Sequence, residues 1–126
     1  MAITTSLSNV IFGTSISNIQ VPEHLNRTIE TGVDYVDAAM GGAGFTPSSV
    51  NLFTGEPGAG KTTMVLTVAS AVAKKKDTIC VFNTAEESLF QIKKTVNRLN
   101  LRGDFACGNS NEIDDVLAGC RKMMEK

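Results

Sequence analysis

The chain has 126 residues with a formal net charge of −1, and 42% of its residues are hydrophobic. That length allows one domain at most, and that apolar fraction is ordinary for a soluble globular protein. A near-neutral charge gives no broad basic field for nucleic acid or anionic membranes, although a local patch could still contact DNA. The sequence has no apolar run of membrane-spanning length and no signal-peptide pattern at its start, which predicts a cytoplasmic protein with no membrane partner.

The cysteines and the single histidine give no sign of a metal site. Cys80, Cys107 and Cys120 are far apart, and no Cys-x-x-Cys pair occurs. This spacing predicts neither a zinc site nor a disulfide framework. Cys80 lies in an apolar run and is expected to be a reduced core residue, whereas His24 lies in a polar stretch and is expected at the surface.

The first part of the chain is rich in Ser, Thr and Asn and shows no regular period. Residues 1–26 are therefore predicted to form a poorly ordered lead-in, and residues 27–126 to form the folded domain. A first helix is predicted where Val33, Val36 and Met40 recur at helical spacing, with Thr31 as its cap.

The most informative stretch fits the phosphate-binding pattern GxxxxGK[ST] at every position. It consists of Gly55, Glu56, Pro57, Gly58, Ala59, Gly60, Lys61 and Thr62. A short β-prone segment at 49–54 precedes it, and a helical pattern runs from Lys61 to about Lys75. Strand, glycine loop and helix form the setting that this motif requires, and an ordinary Gly/Pro turn is the alternative.

Each residue type in the loop suits a bound triphosphate. Gly58 and Gly60 lack a Cβ, so their N–H groups can turn toward phosphate oxygens. Lys61 adds a positive charge at the β- and γ-phosphates, the Thr62 hydroxyl is placed to ligate Mg²⁺, and Thr63 is expected to complete the nucleotide site. The sequence therefore predicts binding of ATP or ADP together with Mg²⁺.

Strands alternate with helices beyond the loop, which predicts an α/β fold with a parallel sheet flanked by helices. The apolar run 78–82 is typical of a strand covered on both faces, and a short strand is predicted at 105–107. Two helices are predicted from apolar stripes at Leu89, Ile92, Val96 and Leu99, and at Ile113, Val116, Leu117, Cys120, Met123 and Met124. Asn111 is the predicted cap of the second. Glu86, just after the 78–82 strand, is expected at the same sheet edge as the glycine loop.

Two motifs in this order resemble the bacterial and phage RadA (Sms) proteins. The first runs from Thr31-Gly32 through Pro47-Ser48-Ser49-Val50 to the glycine loop, and the second is Phe82-Asn83-Thr84-Ala85-Glu86-Glu87-Ser88, followed by Gln91 and Arg98-Leu99. The second matches the family's strand ending in Gly-Glu-Glu-Ser, and together they cover about residues 27–126. The resemblance implies a RecA-like ATPase of DNA repair and recombination that acts on branched DNA and assembles as a homo-oligomeric ring.

The resemblance also implies roles for individual residues. Lys61 and Thr62 would hold phosphate and Mg²⁺, and Glu86 would be the catalytic residue that polarises the attacking water. A carboxylate suits that task because it can accept a proton beside the γ-phosphate. Alternatively, Glu86 and Glu87 both belong to the first turn of the following helix, where the helix dipole favours acids.

The sequence departs from the RadA pattern in three places. No cysteine precedes Cys80 where the family has a four-cysteine zinc module, and Ala38 stands where an arginine is expected. No candidate precedes Lys126 for the aspartate that ends the Walker B strand, because Asp114 and Asp115 read as acids at a helix start. These departures predict the N-terminal part of a RecA-like core, truncated before that strand, with an incomplete sheet and deficient turnover on its own.

The sequence is also compatible with other functions. A nucleotide-binding module that does not hydrolyse ATP is favoured by the absence of the second aspartate. An AAA+ protein or a nucleotide kinase shares the glycine loop but lacks the Glu86-Glu87-Ser88 strand end.

Overall fold

A computed structural model of the chain describes residues 12–125. Within that range lie five α-helices and two β-strands, in the order α1 (Glu23–Asn26), α2 (Asp34–Ala39), α3 (Lys61–Ala73), β1 (Val81–Asn83), α4 (Leu89–Arg98), β2 (Ala106–Gly108) and α5 (Ile113–Met124). A short 3-10 turn, Ile16–Asn18, precedes α1. Residues 1–11 of the predicted lead-in lie outside the described residues, so the domain division stays a prediction. None of the described helices is long and apolar enough to cross a membrane.

The two strands pair in parallel, which confirms the predicted α/β fold. Val81 lies opposite Ala106 and Asn83 opposite Gly108. Parallel strands need a crossover connection, and α4 supplies it. The strands are further joined by an edge-to-face contact between Phe82 and Phe105, whose ring centroids are 6.1 Å apart.

Three of the most buried side chains of the described region lie on α3. Leu66 is 0% exposed, and Ala69 and Ser70 are buried beside it. The Ser70 hydroxyl accepts a hydrogen bond of 2.7 Å from the N–H of Gly103, in the loop between α4 and β2. A Cβ on Gly103 would lie 1.8 Å from the carbonyl oxygen of Ser70. A glycine at 103 is therefore what lets α3 approach this loop so closely.

Gly103→Ala is expected to lower the free energy of unfolding by about 1–3 kcal/mol, because the added methyl group forces two backbones apart. Urea unfolding followed by circular dichroism measures the change. Gly119→Ala in α5 is the matched control, since a Cβ there meets no atom within 4 Å. Alanine in a helix interior should stabilise the chain by about 0.5–1 kcal/mol. A Gly103→Ala protein as stable as the wild type would contradict the close approach.

The predicted strand at 49–54 is wrong for this chain. Those residues form no strand, and Val50 and Leu52 are 99% and 86% exposed. A strand is held by backbone hydrogen bonds to a neighbour, and no strand in residues 12–125 pairs with this segment. The strand candidate fails for lack of a partner, which agrees with the expected incomplete sheet.

β1 differs from its prediction in extent and in burial. It begins at Val81 rather than near Thr78, and Ile79 and Val81 are 55% and 36% exposed. The predicted coverage on both faces is therefore wrong. In the described part of the chain β1 has one neighbouring strand, β2, so its other edge and part of its surface face solvent.

The start of α2 is held by a carboxylate rather than by the predicted threonine cap. The Asp37 Oδ1 atom accepts hydrogen bonds from the Thr31 N–H and hydroxyl at 2.9 and 2.8 Å, and its Oδ2 atom accepts one from the Gly32 N–H at 3.1 Å. Val33 occupies the cap position without a side-chain bond. The hydrogen bond from the Thr31 N–H is the main cause that lowers the pKa of Asp37 from its ordinary 3.8. Asp37 thus fastens α2 to the turn before it.

Asp37→Asn is expected to destabilise the fold near neutral pH and to matter less in acid. A carboxyl whose pKa is lowered on folding stabilises the fold above its unfolded pKa, and this contribution is lost as the pH falls through the folded value. Thermal unfolding at neutral pH and well below pH of about 4 tests this. Asp34→Asn, an exposed acid of the same helix, serves as control. A difference from wild type that does not depend on pH would contradict the role of the ionised carboxylate.

Two smaller expectations also need correction, the cap of α5 and the surface position of His24. α5 follows Glu112 rather than an Asn111 cap, and the Glu112 N–H donates instead to the Ser110 hydroxyl at 3.1 Å. The apolar stripe of α5 is largely uncovered, with Ile113 68% exposed. His24 is half-buried rather than at the surface, and its Nδ1 atom is buried without a hydrogen-bond partner among the described residues.

The predicted burial of Cys80 is only partly met. Cys80 is a free thiol and half-buried, and burial raises its pKa. A raised pKa keeps the thiol protonated and unreactive at neutral pH.

Candidate functional site

The glycine loop is an exposed turn that leads directly into α3. Gly58 and Gly60 adopt φ values of +82° and +90°, in the region that side chains with a Cβ rarely occupy. A Cβ at either position would meet no atom within 4 Å. Glycine is therefore needed at these positions for its backbone conformation, since there is room for a side chain.

Lys61, the first residue of α3, folds back over the loop. Its Nζ atom donates hydrogen bonds to the carbonyl oxygens of Gly55 and, at 3.2 Å, of Glu56. The Ala59 N–H closes the turn by donating to the same Glu56 carbonyl at 3.1 Å. The ammonium group thus lies within the curve of the loop, where an anion would compete with the two carbonyls for it.

The acidic residues lie across a cleft from the helix start. Thr62 lines a cleft of about 310 Å³ together with Glu86 and Glu87 at the carboxyl end of β1. The sequence separates these side chains widely, and the contact between α3 and β1 brings them together. Thr62, Glu86 and Glu87 therefore border one space next to the glycine loop.

Glu86 and Glu87 belong to the loop between β1 and α4, not to the helix. The Thr84 hydroxyl accepts hydrogen bonds from their backbone N–H groups at 3.3 and 3.1 Å. Ser88 is the cap of α4, and its hydroxyl accepts the Gln91 N–H at 3.2 Å. The alternative that both acids form the first turn of α4 is therefore wrong.

The family model of the KaiC ATPase matches residues 29–105, which is more than half of the chain. The chain belongs to the KaiC ATPase family. The matched range contains the glycine loop, α3, β1 and both acidic residues, and it ends just before β2. It places the fold in the RecA-like class of ATPases.

Several curated relatives are DNA repair proteins named RadA. That of Mycobacterium tuberculosis is 38% identical over 96 residues, which cover 76% of this chain and 18% of the relative. Those of Haemophilus influenzae and Escherichia coli are each 40% identical, over 71% and 65% of this chain. The chain spans less than a fifth of the length of these relatives. These similarities confirm the resemblance to RadA, and no solved structure gives a significant match.

Asn83, which lies in the second motif, lines the acidic cleft and makes a contact that the sequence did not predict. Its Nδ2 atom donates to the carbonyl oxygen of Ser110 at 2.8 Å, and its Oδ1 atom accepts the Ser110 N–H at 3.2 Å. The pair ties the end of β1 to the loop after β2, beside the acidic loop. The one signal in the sequence is a polar residue at the end of an apolar strand.

A second cleft borders the glycine loop and the first turn of α3. It has a volume of about 500 Å³, and its lining includes Tyr35, Phe53, Lys61, Thr63 and Met64. Tyr35 was also missed, although it is the aromatic residue that falls outside the apolar stripe of its helix. An acidic cleft at Thr62 and an aromatic cleft at Gly60, Lys61 and Thr63 therefore both border the loop and the start of α3.

The residues of the acidic cleft suit a Mg²⁺ ion only together with a nucleotide. Residues 12–125 contain no group of three or more His, Cys, Asp or Glu side chains that could hold a metal. Mg²⁺ is commonly bound through one or two protein oxygens, several waters and substrate phosphates. The Thr62 hydroxyl, with Glu86 and Glu87 across the cleft, offers such a partial set of ligands.

Proposed function

We propose that the chain is the nucleotide-binding part of a RecA-class ATPase that acts in DNA repair and recombination. The observation that carries the proposal is the cleft shared by Thr62 and the strand-end acids Glu86 and Glu87. A phosphate-binding loop alone serves many proteins, whereas a loop facing carboxylates at the end of the next strand suits hydrolysis of the bound phosphate. The names of the RadA relatives support the role in DNA repair.

In this proposal the loop and Lys61 bind the phosphates of ATP. The start of α3 directs the positive end of its dipole at the same anion, and the ammonium group of Lys61 exchanges its loop carbonyls for phosphate oxygens. Mg²⁺, held by the Thr62 hydroxyl and the phosphates, would neutralise charge that develops on the γ-phosphate. These groups lower the activation barrier of ATP hydrolysis by positioning the phosphates and by stabilising the charge of the transition state.

Glu86 is proposed as the residue that orients the attacking water. Its carboxylate is exposed at the cleft and can accept a proton from that water. The Thr84 hydroxyl, by holding the N–H groups of both acids, fixes the loop that carries them. The resemblance to the RadA motif favours Glu86 over Glu87 for this role.

DNA and further copies of the chain are the proposed partners. The implied assembly is a ring that acts on branched DNA and couples ATP hydrolysis to DNA. The chain alone offers a near-neutral surface, so DNA contact in this proposal depends on a local patch or on the assembly.

A nucleotide-binding module without turnover is the second candidate. Among the described residues, Glu86 and Glu87 are the acids that line the cleft with Thr62. A further aspartate that fixes the metal shell has no position there, which favours binding without hydrolysis for this chain by itself.

Calorimetric titration with ATP, in the presence and absence of Mg²⁺, tests the nucleotide site that both candidates share. Mg²⁺ is expected to strengthen ATP binding in the wild type, because the Thr62 hydroxyl would ligate the ion. Thr62→Ala should remove most of that Mg²⁺ dependence, and Thr62→Ser, which keeps the hydroxyl, should preserve it. Equal Mg²⁺ dependence in all three proteins would contradict the role of Thr62.

A further inference from the structure

We propose that Tyr35 forms a wall of a base-binding site and stacks on the purine ring of the bound nucleotide. The inference rests on the proposed function, because Tyr35 would bind the base of the same nucleotide whose phosphates the glycine loop binds. It assigns a role to an aromatic side chain that neither the loop motif nor the acidic motif includes.

The aromatic cleft has the size and the polarity that a nucleotide needs. Its volume of about 500 Å³ falls within the range of small-molecule pockets. Tyr35, Phe53 and Met64 line it with apolar surface, while Gly60 and Lys61 of the loop border the same space. One part is thus suited to a flat aromatic ring, and the adjoining part to phosphate.

The position of the cleft fits the direction in which a triphosphate would cross the loop. Thr62 lines the acidic cleft, and the next residue, Thr63, lines the aromatic cleft. The two clefts therefore adjoin the first turn of α3 at neighbouring residues. With the γ-phosphate beside Glu86, the remainder of the nucleotide extends toward Tyr35.

Tyr35 is held in place without being needed for packing. It lies in the first turn of α2, where Val36 is 2% exposed and makes the core contact, whereas Tyr35 is 62% exposed. The carboxylate of Asp37 fastens this helix to Thr31. An exposed aromatic ring on an anchored helix, beside a phosphate loop, is well placed to stack on a base.

The opposite part of the cleft is fixed by a neighbouring aromatic pair. Phe53 packs edge-to-face on Phe45, with ring centroids 6.1 Å apart. Phe45 in turn forms an antiparallel bridge with Ile29, close to the segment that carries α2. Stacking accepts any base with a π-face, so Tyr35 is expected to favour nucleotides over free phosphates without choosing strongly between adenine and guanine.

Intrinsic fluorescence measures this contact directly, because Tyr35 is the one tyrosine of the chain and there is no tryptophan. ATP with Mg²⁺ is expected to quench the tyrosine emission of the wild type, after correction for absorption by the nucleotide. Inorganic triphosphate with Mg²⁺ should bind in competition with ATP yet leave the emission nearly unchanged. N-acetyltyrosinamide titrated in parallel gives the correction.

Variants separate stacking from a structural effect. Calorimetry should show that Tyr35→Ala weakens ATP binding by about tenfold or more and leaves the affinity for inorganic triphosphate unchanged. Tyr35→Phe, which keeps the ring, should bind ATP almost as the wild type does. Phe90→Ala removes another exposed ring, on α4, and should alter neither affinity.

The outcomes distinguish this inference from the proposed function. Equal ATP affinity in wild type and Tyr35→Ala would overturn the stacking role while leaving the phosphate site intact. An equal loss of affinity for ATP and triphosphate in Tyr35→Ala would overturn it too, since the residue would then act through the loop. Failure of the wild type to bind either ligand would overturn the proposed function and this inference together.

Discussion

Lys61→Ala is expected to weaken ATP binding in the presence of Mg²⁺ by about 2–3 kcal/mol, or roughly 30- to 150-fold. The ammonium group of Lys61 lies within the curve of the glycine loop, on the carbonyl oxygens of Gly55 and Glu56. A phosphate that enters the loop takes the place of these carbonyls and gains a charge-assisted hydrogen bond. Alanine removes both the charge and the donor, while the loop N–H groups and the start of α3 remain.

Calorimetric titration of ATP with Mg²⁺ into the wild type and Lys61→Ala measures the effect. Lys74→Ala is the matched control, because it removes an equal charge from the exposed far end of α3. Net charge alone would weaken binding in both variants to a similar degree. Equal affinity in the wild type and Lys61→Ala would show that the loop does not bind the triphosphate through this residue.

The glycine loop and its helix could be predicted from the sequence because their structure depends on local chemistry. Glycines at 58 and 60 permit the left-handed turn, and the apolar spacing after Lys61 predicts a helix that the structure places at Lys61–Ala73. The parallel pairing of β1 with β2 could also be predicted, since a helix between two apolar runs favours that connection.

The strand at 49–54 could not be judged from its own residues. Its pattern is β-prone, yet a strand forms only where another strand accepts its backbone hydrogen bonds, and Val50 and Leu52 lie exposed instead. The same reasoning applies to Ile79, whose predicted burial depends on elements that cover the sheet. Local pattern predicts the tendency of a segment, and its long-range partners decide the outcome.

The residues of the candidate site also differ in whether local sequence or long-range contacts reveal them. Lys61, Thr62 and Glu86 carry chemistry that a short motif shows, so the sequence alone singled them out. The bond between Asn83 and Ser110 joins residues 27 positions apart, and no motif contains both. The proposed role of Tyr35 likewise depends on its position beside the glycine loop, which is distant from it in the sequence.

Glu86→Gln is expected to lower the rate of ATP hydrolysis by about 10²–10⁴-fold while ATP stays bound, because glutamine keeps the shape of the side chain but cannot take a proton from water. The effect requires a protein that turns over. A chimera in which this chain is followed by the remainder of Escherichia coli RadA, to which it is 40% identical over 82 residues, supplies the rest of the core. Phosphate release measures the rate, and calorimetry confirms that ATP still binds.

Glu87→Gln is the matched control for this experiment, since Glu87 has the same charge, lines the same cleft and shares the Thr84 hydroxyl with Glu86. It should reduce hydrolysis much less. If Glu87→Gln is instead the inactive variant, the match to the RadA motif is displaced by one residue and Glu87 orients the water.

The 126-residue chain by itself should hydrolyse ATP near the background rate, because a neighbouring subunit's arginine alone contributes about 10³–10⁵-fold in enzymes of this chemistry. Rapid hydrolysis by that chain would show that Lys61, Thr62 and Glu86 suffice without further strands or subunits.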